Sequence, residues 1–249
     1  VADELARALS FVHGFARRKA PVVAPVPGGF AVLDERYPMS HDDNKLVVRS
    51  GRPEPVLAAA EERLAGLGHR LVCVDDDRLG QEFRPAFAAA GYGHETNVVM
   101  AFRGARPAAP AVATEPLTLE ELLPVLREEW RESLPQASPG VADGLAARAA
   151  ARVSGADRVE FHAVRAPGGQ IAAHADLYVH EGVAQIENVY TLGRHRGQGH
   201  ARALLTALLA ATADTELTFL VADAADWPRE FYARLGFEPV GYTHAFLRT

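Results

Sequence analysis

The chain has 249 residues, of which 48% are hydrophobic and 23% charged, with a net charge of −6 and a pI near 5.9. That length suits one large domain or two of ordinary size, and the composition is that of a globular protein with ample core. The acidic balance speaks against a nucleic-acid footprint, the single cysteine excludes an intrachain disulfide framework, and no apolar run is long enough to span a bilayer. Without a signal-peptide pattern at its start, the chain is expected in the cytoplasm.

Residues 1–18 suggest a helix with Leu5, Leu9, Val12 and Phe15 on one face. A Pro/Gly-rich passage, PVVAPVPGG, leads to a strand at Phe30–Asp34, a turn-rich YPMSHDDN and a second strand at Lys45–Arg49. Pro53 to Leu67 reads as a helix with prolines in its first turn, where missing N–H groups do no harm, and with Gly66 and Gly68 as stops. Arg70–Val74 is a compact apolar strand in which Cys73 is expected to be a buried core thiol. Asp75-Asp76-Asp77 then reads as a turn capping a helix at Arg78–Ala90, rather than as a Mg²⁺ site. Thr96–Phe102 closes the first half as a strand.

GARPAAPAVATEP, residues 104–116, is rich in alanine and proline and has no period, which marks a linker. Beyond it, Thr118 with Glu121 forms a capping box for a helix to about Ser133, with Pro124 a possible kink. A second helix covers about Val141–Val153. Strands follow at about 158–165, 170–179 and 183–192, joined by turns at Pro167-Gly168-Gly169 and His180-Glu181-Gly182. After a further helix come a strand at Glu216–Val221, a helix at Pro228–Leu235 and a closing strand at 237–248.

The most informative stretch is Glu187–Ala213, ENVYTLGRHRGQGHARALLTALLAATA: a strand, a glycine-rich basic turn and an amphipathic helix. Ala201, Leu204, Leu205, Leu208, Leu209 and Thr212 make one stripe at helical period. A glycine-rich turn opening a helix presents unpaired N–H groups at the positive end of the dipole, which suits a phosphate or pyrophosphate. Arg194 and Arg196 would add charged donors there. An internal repeat is also visible. PAFAAAGY (Pro85–Tyr92) lines up with EFYARLGF (Glu230–Phe237), and LVVRSGRPEPVLAAAEERL takes the place of the strand–turn–helix.

Arg196-Gly197-Gln198-Gly199-His200-Ala201 fits the Q/R-x-x-G-x-G/A signature, and with YARLGF at Tyr232–Phe237 the stretch Leu117–Arg248 resembles the GNAT superfamily of acyl-CoA-dependent N-acyltransferases. The first half resembles a partial, degenerate copy. The resemblance implies an α/β fold of two GNAT-like units, each a mixed, mostly antiparallel sheet flanked by helices. Residues 1–105 would be the degenerate unit, 106–116 the linker and 117–249 the complete acetyltransferase domain.

The same resemblance implies acetyl transfer from acetyl-CoA to an amine acceptor in a ternary complex, with no metal, no nucleic acid and no membrane. Arg194, Arg196, Gly197, Gln198, Gly199, His200 and Ala201 would hold the pyrophosphate. Val189, Tyr190 and Thr191 would face the pantetheine arm, with the Val189 N–H an oxyanion donor. Tyr232 would be the general acid for the CoA sulfur. The family's common glutamate position corresponds here to Gln185, so Glu187 is the candidate base, with His174 and Asp176 as further candidates. The family's asparagine ahead of the tyrosine is absent from Ala225-Asp226-Trp227-Pro228. Those two departures keep a second reading open, a non-catalytic acyl-CoA sensor.

Arg63-Leu64-Ala65-Gly66-Leu67-Gly68 also matches the signature, but at a helix end, where carbonyls repel phosphate. The first half's own turn, Gly51-Arg52-Pro53-Glu54-Pro55, has lost two N–H donors to proline and gained a carboxylate, and Phe87 replaces the tyrosine. Acyl-CoA is therefore expected only in the C-terminal half. The first half is expected to wall the acceptor cleft or to mediate a homodimer.

Overall fold

The structure, a computed structural model, describes residues 2–107, 112 and 114–249. Its contacts divide the chain into two compact units, Val1–Ala101 with Val221–Thr249, and Phe102–Leu220. The expected division at 106–116 is linear, whereas these units are not: the C-terminal residues belong with the first unit. Residues 108–111 and 113 of the expected linker lie outside the described residues.

The first unit holds helices α1 (Ala2–Lys19), α2 (Pro53–Arg63) and α3 (Asp77–Ala89) and strands β1 (Val22–Val26), β2 (Gly29–Leu33), β3 (Lys45–Val48), β4 (Arg70–Val74) and β5 (Gly93–Phe102). The chain's last helix and strand, α8 (Pro228–Ala233) and β11 (Phe237–Arg248), complete it, and the strands lie in the order β1-β2-β3-β4-β11-β5. The β1–β2 and β2–β3 pairs are antiparallel, β3–β4 is parallel and β4–β11 antiparallel. β1 lies in the Pro/Gly-rich passage, where no strand was expected. Pro25 pairs opposite Phe30 on a strand with only one neighbour, where a missing N–H costs no ladder bond. On α1 the buried aromatic residues are Phe11 and Phe15, so the inward stripe is turned from the expected one toward Phe11.

Val72 and Val74 of β4 enter the core with Val56, Phe83, Phe87 and Phe246. Cys73, pointing the other way in the strand's two-residue period, is half-buried rather than a core thiol. Desolvation pushes that thiol up to about 11. The acidic run beyond β4 is fully engaged. Asp75 pairs with His13, the Asp76 side chain caps α3 by accepting from Leu79 N–H at 2.7 Å, and Asp77 Oδ1 lies 2.9 Å from His244 Nε2. His244 Nδ1 in turn lies 2.8 Å from His94 Nε2, so one imidazole ties β11 to both α3 and β5.

The second unit contains β6 (Glu115–Leu117), α4 (Leu119–Ser133), α5 (Pro139–Ala147), α6 (Ala149–Arg152), β7 (Arg158–Arg165), β8 (Ile171–His180), β9 (Val183–Thr191) and α7 (His200–Ala211). β10 (Leu217–Asp223) starts in it, and the strand order is β10-β9-β8-β7-β6. Here too the sheet is mixed and mostly antiparallel, β9–β10 being the parallel pair. Both units therefore repeat one pattern, an antiparallel pair followed by a parallel pair joined through a helix. Thr118 and Glu121 cap α4 reciprocally as expected, and α4 runs unbroken through Pro124. The single helix expected at 141–153 is two, parted at Arg148. Glu181 and Gly182, at φ 49° and 73°, make the two-residue turn between β8 and β9. Leu204, Leu205, Leu208 and Leu209 of α7 are buried, worth roughly 1.5–3 kcal/mol each. Arg106 holds the end of that helix, donating to Leu209 O at 3.2 Å and Thr212 Oγ1 at 2.7 Å.

Candidate active site

β9 loses regular pairing on both sides over the same few residues. Its parallel ladder with β10 runs Leu217↔Val183, Thr218↔Ala184 and Phe219↔Gln185, and among the described residues it stops there although β9 continues to Thr191. On the other side, the antiparallel register with β8 slips between Asp176↔Glu187 and His174↔Tyr190. Asn188 and Val189 thus oppose Ala175 alone, a β-bulge. Asn188 carries it with φ 53°. Asparagine tolerates that left-handed conformation better than other residues with a β-carbon because its short amide can bond locally.

The bulge decides which side chains share a face. In a regular strand Glu187, Val189 and Thr191 would point the same way. Here Tyr190 pairs with His174 and Glu187 with Asp176, so Glu187 and Tyr190 share a face while Thr191 pairs with Ala173. Gln185 pairs with Tyr178 on the Glu187 face, as expected, and its amide donates to Glu187 Oε2.

That face is unusually polar for a buried one. Asp176 is 0% exposed, and its Oδ2 accepts from Arg152 Nη1 at 2.8 Å, Asn188 Nδ2 at 2.7 Å and the Tyr178 hydroxyl. Its Oδ1 is buried without a hydrogen-bond partner among the described residues. Burial, then the neighbouring Asp176 charge, pushes the Tyr178 phenol up. His174 is also fully buried, with Nε2 at 3.0 Å from Glu129 Oε2 on α4, close enough to pair though not at a hydrogen-bonding angle.

The glycine turn begins with a 3₁₀ turn at Gly193–His195, and α7 starts at His200 with Gly199 as its N-cap. Gly197 and Gly199 have φ of 75° and 82°, and a β-carbon on either would meet nothing within 4 Å. Both glycines, Arg194, Arg196 and Gln198 are exposed. No side chain caps α7, and among the described residues no backbone carbonyl accepts from the N–H groups of Gly197 to Ala201. A turn of exposed, unpaired amides at the positive end of a helix can take an anionic oxygen.

The two arginines are held differently. Arg194 pairs with Glu128, which raises its pKa. Arg196 donates from Nε to Thr191 O at 3.1 Å and from Nη2 to the Tyr190 hydroxyl at 3.2 Å, folding back over the strand end. Glu132 was not singled out in the sequence, yet its Oε2 accepts from Gly193 N–H at 3.0 Å and from the Tyr190 hydroxyl at 2.9 Å. Burial opposes its ionisation, and these bonds with the nearby arginines outweigh that, lowering its pKa. Gln198 Nε2 reaches Arg194 O at 3.4 Å, and the His200 ring stands edge-on to His195 at 6.0 Å.

The second unit therefore brings together Glu187, Val189, Tyr190, Thr191 and the turn from Arg194 to Ala201. Tyr232 lies on α8, assigned with the first unit, where its ring packs against Phe231 and Phe237 at 5.5 and 6.1 Å. The first unit's own turn has Gly51 at φ 108°, Arg52 as N-cap without a side-chain bond and proline opening α2, while Phe87 is sealed in the core. Arg63 ends α2, so the second signature match does lie at a helix end. The parts missed in the sequence are Asn188, Arg152 and Glu132. Only Asn188 carried a signal, an asparagine inside a run of strand formers.

Residues 157–239 match the family model described as an acetyltransferase (GNAT) domain. No curated protein matches the sequence. Among solved structures, a functionally unknown conserved protein from Staphylococcus epidermidis is similar with a TM-score of 0.71 at 13% identity, covering 90% of this chain and 92% of that one. A GCN5-related N-acetyltransferase from Kribbella flavida has a TM-score of 0.63 at 17% identity, covering 98% and 94%. A tandem GNAT protein from the clavulanic acid biosynthesis pathway has a TM-score of 0.52 at 17% identity, covering 99% and 94%. At such identities the likeness is one of fold.

Proposed function

Residues 157–239 being a GNAT acetyltransferase domain, we propose that the chain transfers acetyl from acetyl-CoA to a primary amine, with the acyl-CoA seated in the C-terminal half alone. The observation that carries this reading is the departure of β9 from β10 after Gln185, just ahead of a turn of free amides at Gly197–Ala201. An opened strand exposes backbone groups to an amide-bearing arm such as pantetheine, and the turn suits the pyrophosphate at its end. Arg196 lies within reach of both strand end and turn.

In the proposed reaction the neutral amine attacks the thioester carbonyl. A C–N bond forms, the oxyanion takes the Val189 N–H, and the C–S bond breaks as CoA leaves. Glu187, directly or through water, accepts the amine proton, and Gln185 orients it by donating to Oε2. That bond gives Gln185 a task compatible with catalysis. Tyr232 supplies the proton to the thiolate. The net charge of −6 favours an acceptor that arrives as a cationic ammonium, and loss of its proton to Glu187 leaves the neutral amine that attacks.

The test is thiol release from acetyl-CoA across an amine panel, with CoA binding measured by calorimetry. Tyr232→Phe should slow turnover by about 10²–10⁴-fold while leaving the CoA dissociation constant unchanged. An unchanged turnover rate in a folded variant removes Tyr232 from the mechanism. CoA binding by the wild-type chain without turnover on any amine would instead favour the sensor.

A further inference from the structure

The geometry points to Asp176, anchored by Arg152, as the positioning residue that holds the Asn188 bulge and thereby aims the Val189 N–H at the reacting carbonyl; this rests on the acyl-transfer reading above. A left-handed residue with a β-carbon persists in a strand only when its surroundings over-determine it. Asn188 and Glu181 are the described non-glycine residues with positive φ, and Glu181 lies in a two-residue turn that calls for it. Asn188 lies inside β9, where nothing local demands it. What holds it is its amide, which donates to Asp176 Oδ2 at 2.7 Å and reaches the Tyr178 hydroxyl at 3.4 Å.

Asp176 is itself immovable. It is fully buried, its Oδ2 is shared by three donors, and Arg152, 4% exposed, reaches it from α6 at 2.8 Å. A buried carboxylate stripped of its cation would cost more than the pair contributes, so the arrangement is held as a unit. The chain from α6 to the bulge therefore runs Arg152–Asp176–Asn188. Its effect lies at the next residue. Val189 shares Ala175 of β8 with Asn188 instead of pairing in regular register, and the β10 ladder has already ended, so the direction of its N–H follows the backbone dihedrals at Asn188. If the bulge regularised, the register would shift by one and turn Tyr190 to the opposite face.

The experiment compares Asn188→Gly with Asn188→Ala, using CoA for binding and acetyl-CoA with ethylamine for turnover. Glycine keeps the left-handed dihedral without the side chain, whereas alanine disfavours it. Asn188→Ala should lower kcat by roughly 10²-fold with the CoA dissociation constant unchanged, and Asn188→Gly should recover kcat to within about threefold. Equal losses in both variants would make Asn188 a contact residue and overturn the positioning role, as would full activity in Asn188→Ala. Amide hydrogen exchange without ligand reads the positioning independently of activity. Asp176→Asn should speed exchange at Val189 and Tyr190, and unchanged exchange in that folded variant would overturn the proposal. If wild-type protein binds no CoA while the exchange effect holds, the acyl-transfer reading fails and the bulge anchor stands.

Discussion

The chain contains two copies of the same short pattern, and substituting one glycine in each separates the turn proposed to seat CoA from its look-alike. Gly199 sits at φ 82° with nothing within 4 Å of an added β-carbon. Gly199→Ala therefore meets no clash within the protein, and its entire cost is the left-handed backbone, about 1–2 kcal/mol. The turn can retain its shape and bear that strain, with a methyl standing in the space a ligand must approach, or it can relax and turn its amides away. Either way CoA affinity falls. Where the free turn relaxes, CoA must restore the strained form, and at about 1.4 kcal/mol per decade that corresponds to a loss of roughly 5- to 30-fold. Gly66 also has open space around it, but its φ is not left-handed. Gly66→Ala should leave CoA affinity unchanged and raise stability by about 0.4–1 kcal/mol, because alanine narrows the unfolded ensemble. Calorimetric titration of CoA into both variants, with urea unfolding as the stability control, measures the difference. Equal affinities for the two would refute the assignment of the turn at Gly197–Ala201, and a weaker Gly66 variant would refute the dismissal of its copy.

Gly80→Ala places a β-carbon 2.0 Å from His244 Cδ2, against a ring held at both nitrogens by Asp77 and His94. Overpacking of about 1–3 kcal/mol plus a disturbed hydrogen bond exceeds the roughly 1 kcal/mol gained in helix propensity, so urea unfolding should show net destabilisation. A stabilised variant would mean that the imidazole is free to move. Burial lowers the His94 and His69 pKa below the ordinary 6.5, and for His94 the neighbouring His244 adds to the effect. The unfolded chain then binds protons more readily than the folded one. The resulting stability is complete above pH 6.5 and is lost as pH falls through the depressed folded values. Unfolding free energy measured from pH 8 to 5 should decline with acid, and His94→Gln should flatten part of that slope. A slope identical to wild type would remove His94 from the cause.

Short-range chemistry was legible in the residues themselves. The Thr118–Glu121 capping box, the Glu181-Gly182 turn, the leucine stripe of α7 and the glycine turn all depend on neighbours within a few positions, and their side chains announce their roles. The repeat, too, could be read, because strand–turn–helix order survives even where Pro53 and Phe87 stand in place of the second half's glycine turn and tyrosine. Long-range pairing could not. β11 lies between β4 and β5, and β1 accommodates Pro25 at an edge; a sheet ladder joins backbone to backbone, so neither placement leaves a period in the sequence. The same holds for the polar layer behind β9. Asp176 could be singled out in the sequence only as a candidate base, and Arg152 and Glu132 not at all; the packing of α6 and α4 over the sheet is what makes Arg152 the partner of Asp176, Asp176 the acceptor for Asn188 and Glu132 the acceptor for Gly193. The sequence by itself determined the turn that can seat an anion; the tertiary structure decided where the strand beside it opens, because that depends on which neighbours stop pairing.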